Sequence, residues 1–186
     1  MADSFFEDCL PSKVGIIKKE KTKYGGIEMF RSIRKKKNEL SMERVKEVLL
    51  RSRRGVLSMQ GEDGYPYGIP INYFYDEGEQ KIFFHGAKAG YKVDCLKACD
   101  KVCFTVLGKE TIREEAWAPY VSSVVVFGRC HLMDDGKVAM EKLKDFAMKY
   151  YPKEDMVIQQ MEATGRAVQM FIIDIDHLSG KEVQEK

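Results

Sequence analysis

Eight consecutive residues, His85-Gly86-Ala87-Lys88-Ala89-Gly90-Tyr91-Lys92, hold the most suggestive chemistry of this chain. An apolar, strand-like run ends at His85. Gly86 and Gly90 leave backbone N–H groups open to close approach, Lys88 and Lys92 supply positive charge, and a short helix is expected to start at the far end. Exposed amides, a helix N-terminus and ammonium groups are what a phosphate needs. A solvated loop with ordinary lysines has the same composition, and residue types alone do not separate the two. The imidazole of His85, with an ordinary pKa of about 6.5, could bond a phosphate, hold the loop through a backbone carbonyl, or deliver a proton near neutral pH. The first two roles come ahead of the third, because nothing in the sequence aims the ring at a substrate.

Two other constellations carry polar groups into apolar runs. In Pro70-Ile71-Asn72-Tyr73, Asn72 offers an amide that both donates and accepts, and Tyr73 offers a flat face for a ring. An exterior Asn beside a core Tyr would read the same way. In Tyr120-Val121-Ser122-Ser123-Val124, two hydroxyls open a valine-rich strand. His131 and His177 stand far apart and read as structural or surface residues. The five cysteines include no CxxC. Cys95 and Cys99 lie four apart in an expected helix, and Cys103 and Cys130 fall in apolar runs. That is the pattern of buried free thiols in a reducing compartment, and no cluster of Cys and His is sharp enough for a metal.

The elements that must position these residues follow from their periods. Ser41 is a plausible N-cap, with Met42, Val45, Val48 and Leu49 at helical spacing behind it and Glu43 at the positive helix end. Gly55 to Met59 is a short strand, and Gly61 to Gly64 a turn. From Tyr65 to Tyr75 the chain alternates, with Tyr67, Ile69, Ile71, Tyr73 and Tyr75 on one face. Pro70 inside this run marks an edge or a bulge. Strands are expected over 81–85, 102–106, 121–132 and 168–175, and helices over 91–98, 138–151 and 155–164. Hairpin-linked strands with intervening helices do not give the strict alternation of a parallel sheet. They predict a mainly β fold, a closed or nearly closed antiparallel barrel with peripheral helices.

Composition narrows the class. With 186 residues the chain fits one ordinary domain. Its 31 Lys and Arg against 29 Asp and Glu leave a charge of +2, too small to argue for nucleic acid. No run approaches the roughly 18 apolar residues of a membrane span. The acidic N-terminus does not read as a secretory signal, so a cytoplasmic protein is expected. Residues 1–28, with Lys18, Lys19, Lys21 and Lys23 crowded before Gly25-Gly26, read as a weakly ordered extension, and residues 29–186 as the domain.

Taken in order, the pieces resemble the pyridoxamine 5′-phosphate oxidase-like split β-barrels, within them the nitroimidazole-resistance related branch. The matching stretches are Met29-Phe30-Arg31 with Arg34-Lys35-Lys36, Gly55-Val56-Leu57, Asp63-Gly64-Tyr65-Pro66-Tyr67, Ile69-Pro70-Ile71-Asn72-Tyr73 and Ile82-Phe83-Phe84-His85-Gly86-Ala87. Gly90-Tyr91-Lys92, Val102-Cys103-Phe104, Ser123-Val124-Val125-Val126-Phe127-Gly128 and Ser179-Gly180-Lys181 complete the set. The resemblance implies an antiparallel split β-barrel that dimerises and holds FMN at the subunit interface. It implies that the loop matching His85, Gly86, Ala87, Lys88 and Lys92 receives the phosphate. Strands matching Leu57-Ser58 and Ile71-Asn72-Tyr73 would line the flavin, and Ser122-Ser123 would approach it. Ser122 stands where relatives often place Arg, and Gly86 where they often place Ser. The Trp and Arg pattern that ends true pyridoxamine phosphate oxidases is absent, the only Trp being Trp117, so vitamin B6 oxidation is not implied. The activity implied is a flavin oxidoreductase acting on a small acceptor such as a nitroaromatic. The alternative is a split barrel that stores or senses flavin or haem without turnover.

Overall fold

The first helix, α1 (Met42–Arg51), begins where the capping residue dictates. Ser41 is extended, and its hydroxyl accepts the N–H of Arg44 at 3.4 Å. Val45, Val48 and Leu49 turn inward from it and are buried. The computed structural model describes residues 30–116, 118–151 and 153–184. The extension expected over 1–28 lies outside the described residues. Ile33–Lys186 form one compact unit, and every strand and helix of the described residues belongs to it.

Seven strands form one antiparallel sheet: β1 (Arg54–Gln60), β2 (Pro66–Asn72), β3 (Phe74–Asp76), β4 (Lys81–Gly86), β5 (Lys101–Arg113), β6 (Ala118–Leu132) and β7 (Gln169–Gln184). Their order is β2-β1-β5-β6-β7-β4-β3. The two edge strands, β2 and β3, are therefore neighbours in the chain, and the chain passes from one edge of the sheet to the other through the single residue Tyr73. The sheet curls but does not close, which is the split barrel expected from the sequence. Pro70 lies in an edge strand, where a missing N–H is tolerated. The run expected as one strand from Tyr65 to Tyr75 divides at Tyr73, yet the alternation holds: Tyr67, Ile69 and Ile71 are half-buried, and Tyr73 and Tyr75 are buried.

The helix α2 (Tyr91–Ala98) follows β4, and α3 (Gly136–Tyr150) and α4 (Glu154–Thr164) lie between β6 and β7. Both α2 and the inner positions of the sheet feed one core that includes Leu57, Phe84, Phe104, Val124, Val126, Phe171 and Ile173. Phe84 and Phe171 stack in parallel with centroids 4.8 Å apart. Each such buried aromatic contributes roughly 1.5–3 kcal/mol. Gly55 leaves room for the Phe104 ring, whose nearest atom would lie 2.3 Å from an added Cβ. On the opposite face of β4, Phe83 joins Leu143 of α3 and Met170 in a second, smaller core. β4 is thus covered on both sides, as its near-continuous apolar sequence requires. The strands β5 and β7 outrun the expected 102–106 and 168–175. In β5 the extra residues Lys109, Glu110 and Ile112 are exposed, so no apolar period marks them. In β7 the extra residues are mostly half-buried, with Leu178 against the core and Gly180 buried, and in both strands the backbone ladder to β6 carries the pairing.

Candidate functional site

Where β2 and β4 approach one another, a cleft of about 410 Å³ opens, lined by Arg54, Pro70, Ile71, Asn72 and His85. Three residues singled out by type, Ile71, Asn72 and His85, meet here. Two others were not among the expected site residues. Pro70 is the edge-strand proline, and Arg54 opens β1. A cleft of similar size, about 400 Å³, runs along the outside of α1 past Met42, Lys46, Leu50 and Glu77. Its charges pair among themselves, Lys46 with Glu77 at 3.6 Å and Arg51 with Glu47 at 3.1 Å, and it holds none of the expected residues.

The hairpin between β1 and β2 sets Arg54 opposite Asn72. Nε of Arg54 donates to Oδ1 of Asn72 at 3.2 Å. Successive residues of a strand face opposite ways, so His85 turns with Phe83 toward α3, and Gly86 turns with Phe84 toward the main core. The His85 ring meets Phe146 of α3 edge-on, centroids 4.8 Å apart. Burial, and then the charge of Lys92, hold its pKa below the usual 6.5. His85 is therefore neutral near pH 7 in the absence of an anion.

Gly90 begins α2 with φ at +118°, a backbone conformation that glycine allows. The ammonium of Lys92 reaches back over Gly86, where an added Cβ would lie 2.2 Å from Nζ. It rests 4.4 Å from the Phe171 ring centroid and 5.2 Å from that of Phe84. Burial lowers its pKa. Among the described residues no carboxylate pairs with it. Ala87 and Lys88 are exposed in the loop between.

The remaining expected residues are not in the cleft. Leu57 and Tyr73 are 0% exposed in the core. The Tyr73 hydroxyl donates to the Leu49 carbonyl at 2.7 Å, and its ring meets Phe104 edge-on, so its flat face is spent on packing. Ser122 is buried on β6, its hydroxyl filling the space beside Gly108. Ser58 and Ser123 are half-buried on the sheet face turned away from the core. Among the described residues no three His, Cys, Asp or Glu side chains converge on a metal position, and no helix is long and apolar enough to cross a membrane. Cys95, Cys103 and Cys130 are free thiols, and burial pushes Cys130 up to about 12.

Residues 41–182 match the family described as pyridoxamine 5′-phosphate oxidase. Among solved structures, a candidate 5-nitroimidazole antibiotic resistance protein of Bacteroides thetaiotaomicron is 17% identical, with a TM-score of 0.66 over 78% of this chain and 87% of that one. A FAD-binding protein of Mesorhizobium loti is 23% identical, with a TM-score of 0.54 over 78% of this chain and 96% of that one. A flavocytochrome of Azotobacter vinelandii is 20% identical, with a TM-score of 0.65 over 83% of this chain and 75% of that one. At such identities the likeness is one of fold. No curated protein matches the chain.

Proposed function

Because this chain belongs to the pyridoxamine 5′-phosphate oxidase family, we propose that it is an FMN-binding oxidoreductase that reduces a small acceptor, a nitroimidazole or other nitroaromatic being the class to try first. The observation that carries the reading is the cleft between β2 and β4. It gathers Asn72, His85 and Arg54 around an apolar wall of Ile71 and Pro70, with no acidic side chain in its lining. That set suits a flat heteroaromatic ring bearing a phosphate.

Asn72 would bond the polar edge of the ring, since its amide both donates and accepts. Lys92, resting against aromatic faces without a carboxylate, and the amides of Gly86 to Lys88 would hold the phosphate. Bound FMN would supply reversible redox chemistry, and the protein position and electrostatics. His85 would bond the phosphate or the chain leading to it. An anion there raises the pKa of its ring, so the same side chain gains a proton as the ligand arrives. Leu57 and Tyr73, buried as they are, would serve from beneath as supports.

A second copy of the chain completes the proposal. The outward sheet face sets Pro70 opposite Val56, Val56 opposite Thr105, Thr105 opposite Val125, and Val125 opposite Ser179. This row is uncharged, and Val56 is 42% exposed in one chain. A homodimer would cover it and bring Ser58 and Ser123 toward a shared cofactor.

The test is a flavin titration of the purified protein, read by fluorescence. FMN should bind far more tightly than riboflavin, and equal affinity would remove the phosphate from the reading. Oxidation of reduced nicotinamide with and without a nitroimidazole then separates an enzyme from a flavin store. A Soret band in the purified protein would point instead to haem.

A further inference from the structure

One hydroxyl of α3 bonds three peptide groups, two of which adjoin cleft residues. The Tyr150 hydroxyl oxygen accepts the Tyr73 N–H at 2.9 Å. Its proton is directed to the carbonyls of Tyr73, at 2.7 Å, and of Arg53. The Tyr73 N–H belongs to the peptide that joins it to Asn72. The Arg53 carbonyl belongs to the peptide that joins it to Arg54. The residues held in this way face each other across the β1–β2 ladder and are tied again by the bond from Arg54 Nε to Asn72 Oδ1. One turn earlier, Phe146 braces His85 and lies 4.9 Å from the Tyr150 ring. The last two turns of α3 therefore fix three of the five cleft residues.

The guanidinium oriented by this arrangement is unspent. Arg44, Arg51 and Arg129 each pair with a carboxylate. Arg54 pairs with none among the described residues, and its two Nη groups and the Asn72 Nδ2 find no partner there. A planar fork already held in one orientation loses little freedom when an oxyanion docks on it.

We propose that Arg54 and Asn72 form an oxyanion seat in the cleft, taking a carboxylate or phosphate group on the guanidinium fork, with Tyr150 as its positioning residue. The seat rests on the reading of the cleft as a ligand site, not on the ligand being a flavin. Its occupant can come from two sources: the phosphate of FMN, or an acidic group on the acceptor.

The whole protein, labelled with ¹⁵N, is titrated with two matched pairs of probes, FMN against riboflavin and 4-nitrobenzoate against 4-nitrobenzamide. The readouts are the Arg54 Nε–H resonance and flavin fluorescence. The anionic member of at least one pair should bind about tenfold or more tightly than its neutral partner and shift that resonance, as a charge-assisted bond allows. In the pair that the seat serves, Arg54→Met and Arg54→Lys should each lower the ratio about tenfold, because lysine keeps the charge but not the fork; any preference left in the flavin pair is the share of Lys92 and the glycine loop. Collapse in the flavin pair assigns the seat to the cofactor phosphate, and collapse in the benzoate pair assigns it to the acceptor. Tyr150→Phe keeps the ring and should lower the same ratio about three- to tenfold in protein that circular dichroism shows to be folded. Two results overturn the seat: a wild type with no preference for the anion in either pair, or ratios that Arg54→Met leaves unchanged. Failure of the flavin reading looks different, since neither flavin would then bind while the benzoate pair still reports on Arg54.

Discussion

His85 joins the cleft to the glycine loop, and its protonation should report on both. With burial and Lys92 holding its pKa below 6.5, the folded state resists its protonation. Its contribution to stability is whole above about pH 6.5 and is lost as pH falls through the lowered value. An NMR titration of the ring should show that depressed pKa without ligand and a rise when FMN is added. Replacement by alanine should weaken FMN while turnover recovers at saturating flavin. Full occupancy with turnover down roughly 100-fold would make His85 a general acid instead. Lys92→Ala should weaken FMN about 10- to 150-fold, the worth of a charge-assisted hydrogen bond, and a smaller effect than that of Lys88→Ala would show the loop to be oriented otherwise. Asn72 and His85 were legible by type, as polar groups in apolar surroundings. Arg54 was not, because a charged residue at a strand start reads as solvated surface. The signal was the turn at Asp63-Gly64: counting outward from it pairs Arg54 with Asn72. Tyr73 was misleading for the opposite reason. Its type allowed a ring contact, but its parity placed it inside with Tyr75.

At the scale of elements, α3 does more than shield β4. Lys149, beside Tyr150, donates to the Ser52 carbonyl at 2.7 Å and lies 4.2 Å from the Tyr73 ring centroid. Burial, with Arg53 nearby, lowers its pKa from 10.5 to about 8. The unfolded chain holds that proton to higher pH than the folded one. Stability therefore rises between about pH 8 and 10.5, by about 3 kcal/mol at most and by less where solvent screens the ammonium. Chemical denaturation of wild type and Lys149→Met across that range should show the gain in the wild type alone. Helices were the most legible elements, since capping by Ser41 and the apolar period of α3 are local signals. The full lengths of β5 and β7 were not, because the far halves of both strands are held by partners distant in sequence.

For the whole molecule, the uncharged row across β2, β1, β5, β6 and β7 should be a subunit contact. Light scattering at micromolar concentration should give a dimer, and Val125→Lys, which sets a charge in the middle of that row, should give a monomer with weakened FMN. A monomeric wild type with FMN bound would refute the contact. A closed or nearly closed antiparallel barrel was legible from hairpin turns and alternation, and the split came only with the family resemblance. The strand order was not, because nothing local tells β4 to pair with β7 rather than continue from β2.

That order also governs when the cleft can exist. β1 and β2 form a local hairpin, as do β3 and β4, but β4 takes its place only by pairing residues such as Lys81 with Asp174 of β7. Closing so long a loop is slow and comes before its contacts reward it. His85 thus reaches Arg54 and Asn72 only after β7 has docked, so a folding chain has nothing to offer the ligand until its slowest step is over. Flavin added during refolding should leave the main folding rate unchanged and slow unfolding instead. A folding rate that climbed with flavin concentration would mean the cleft assembles early, before β7.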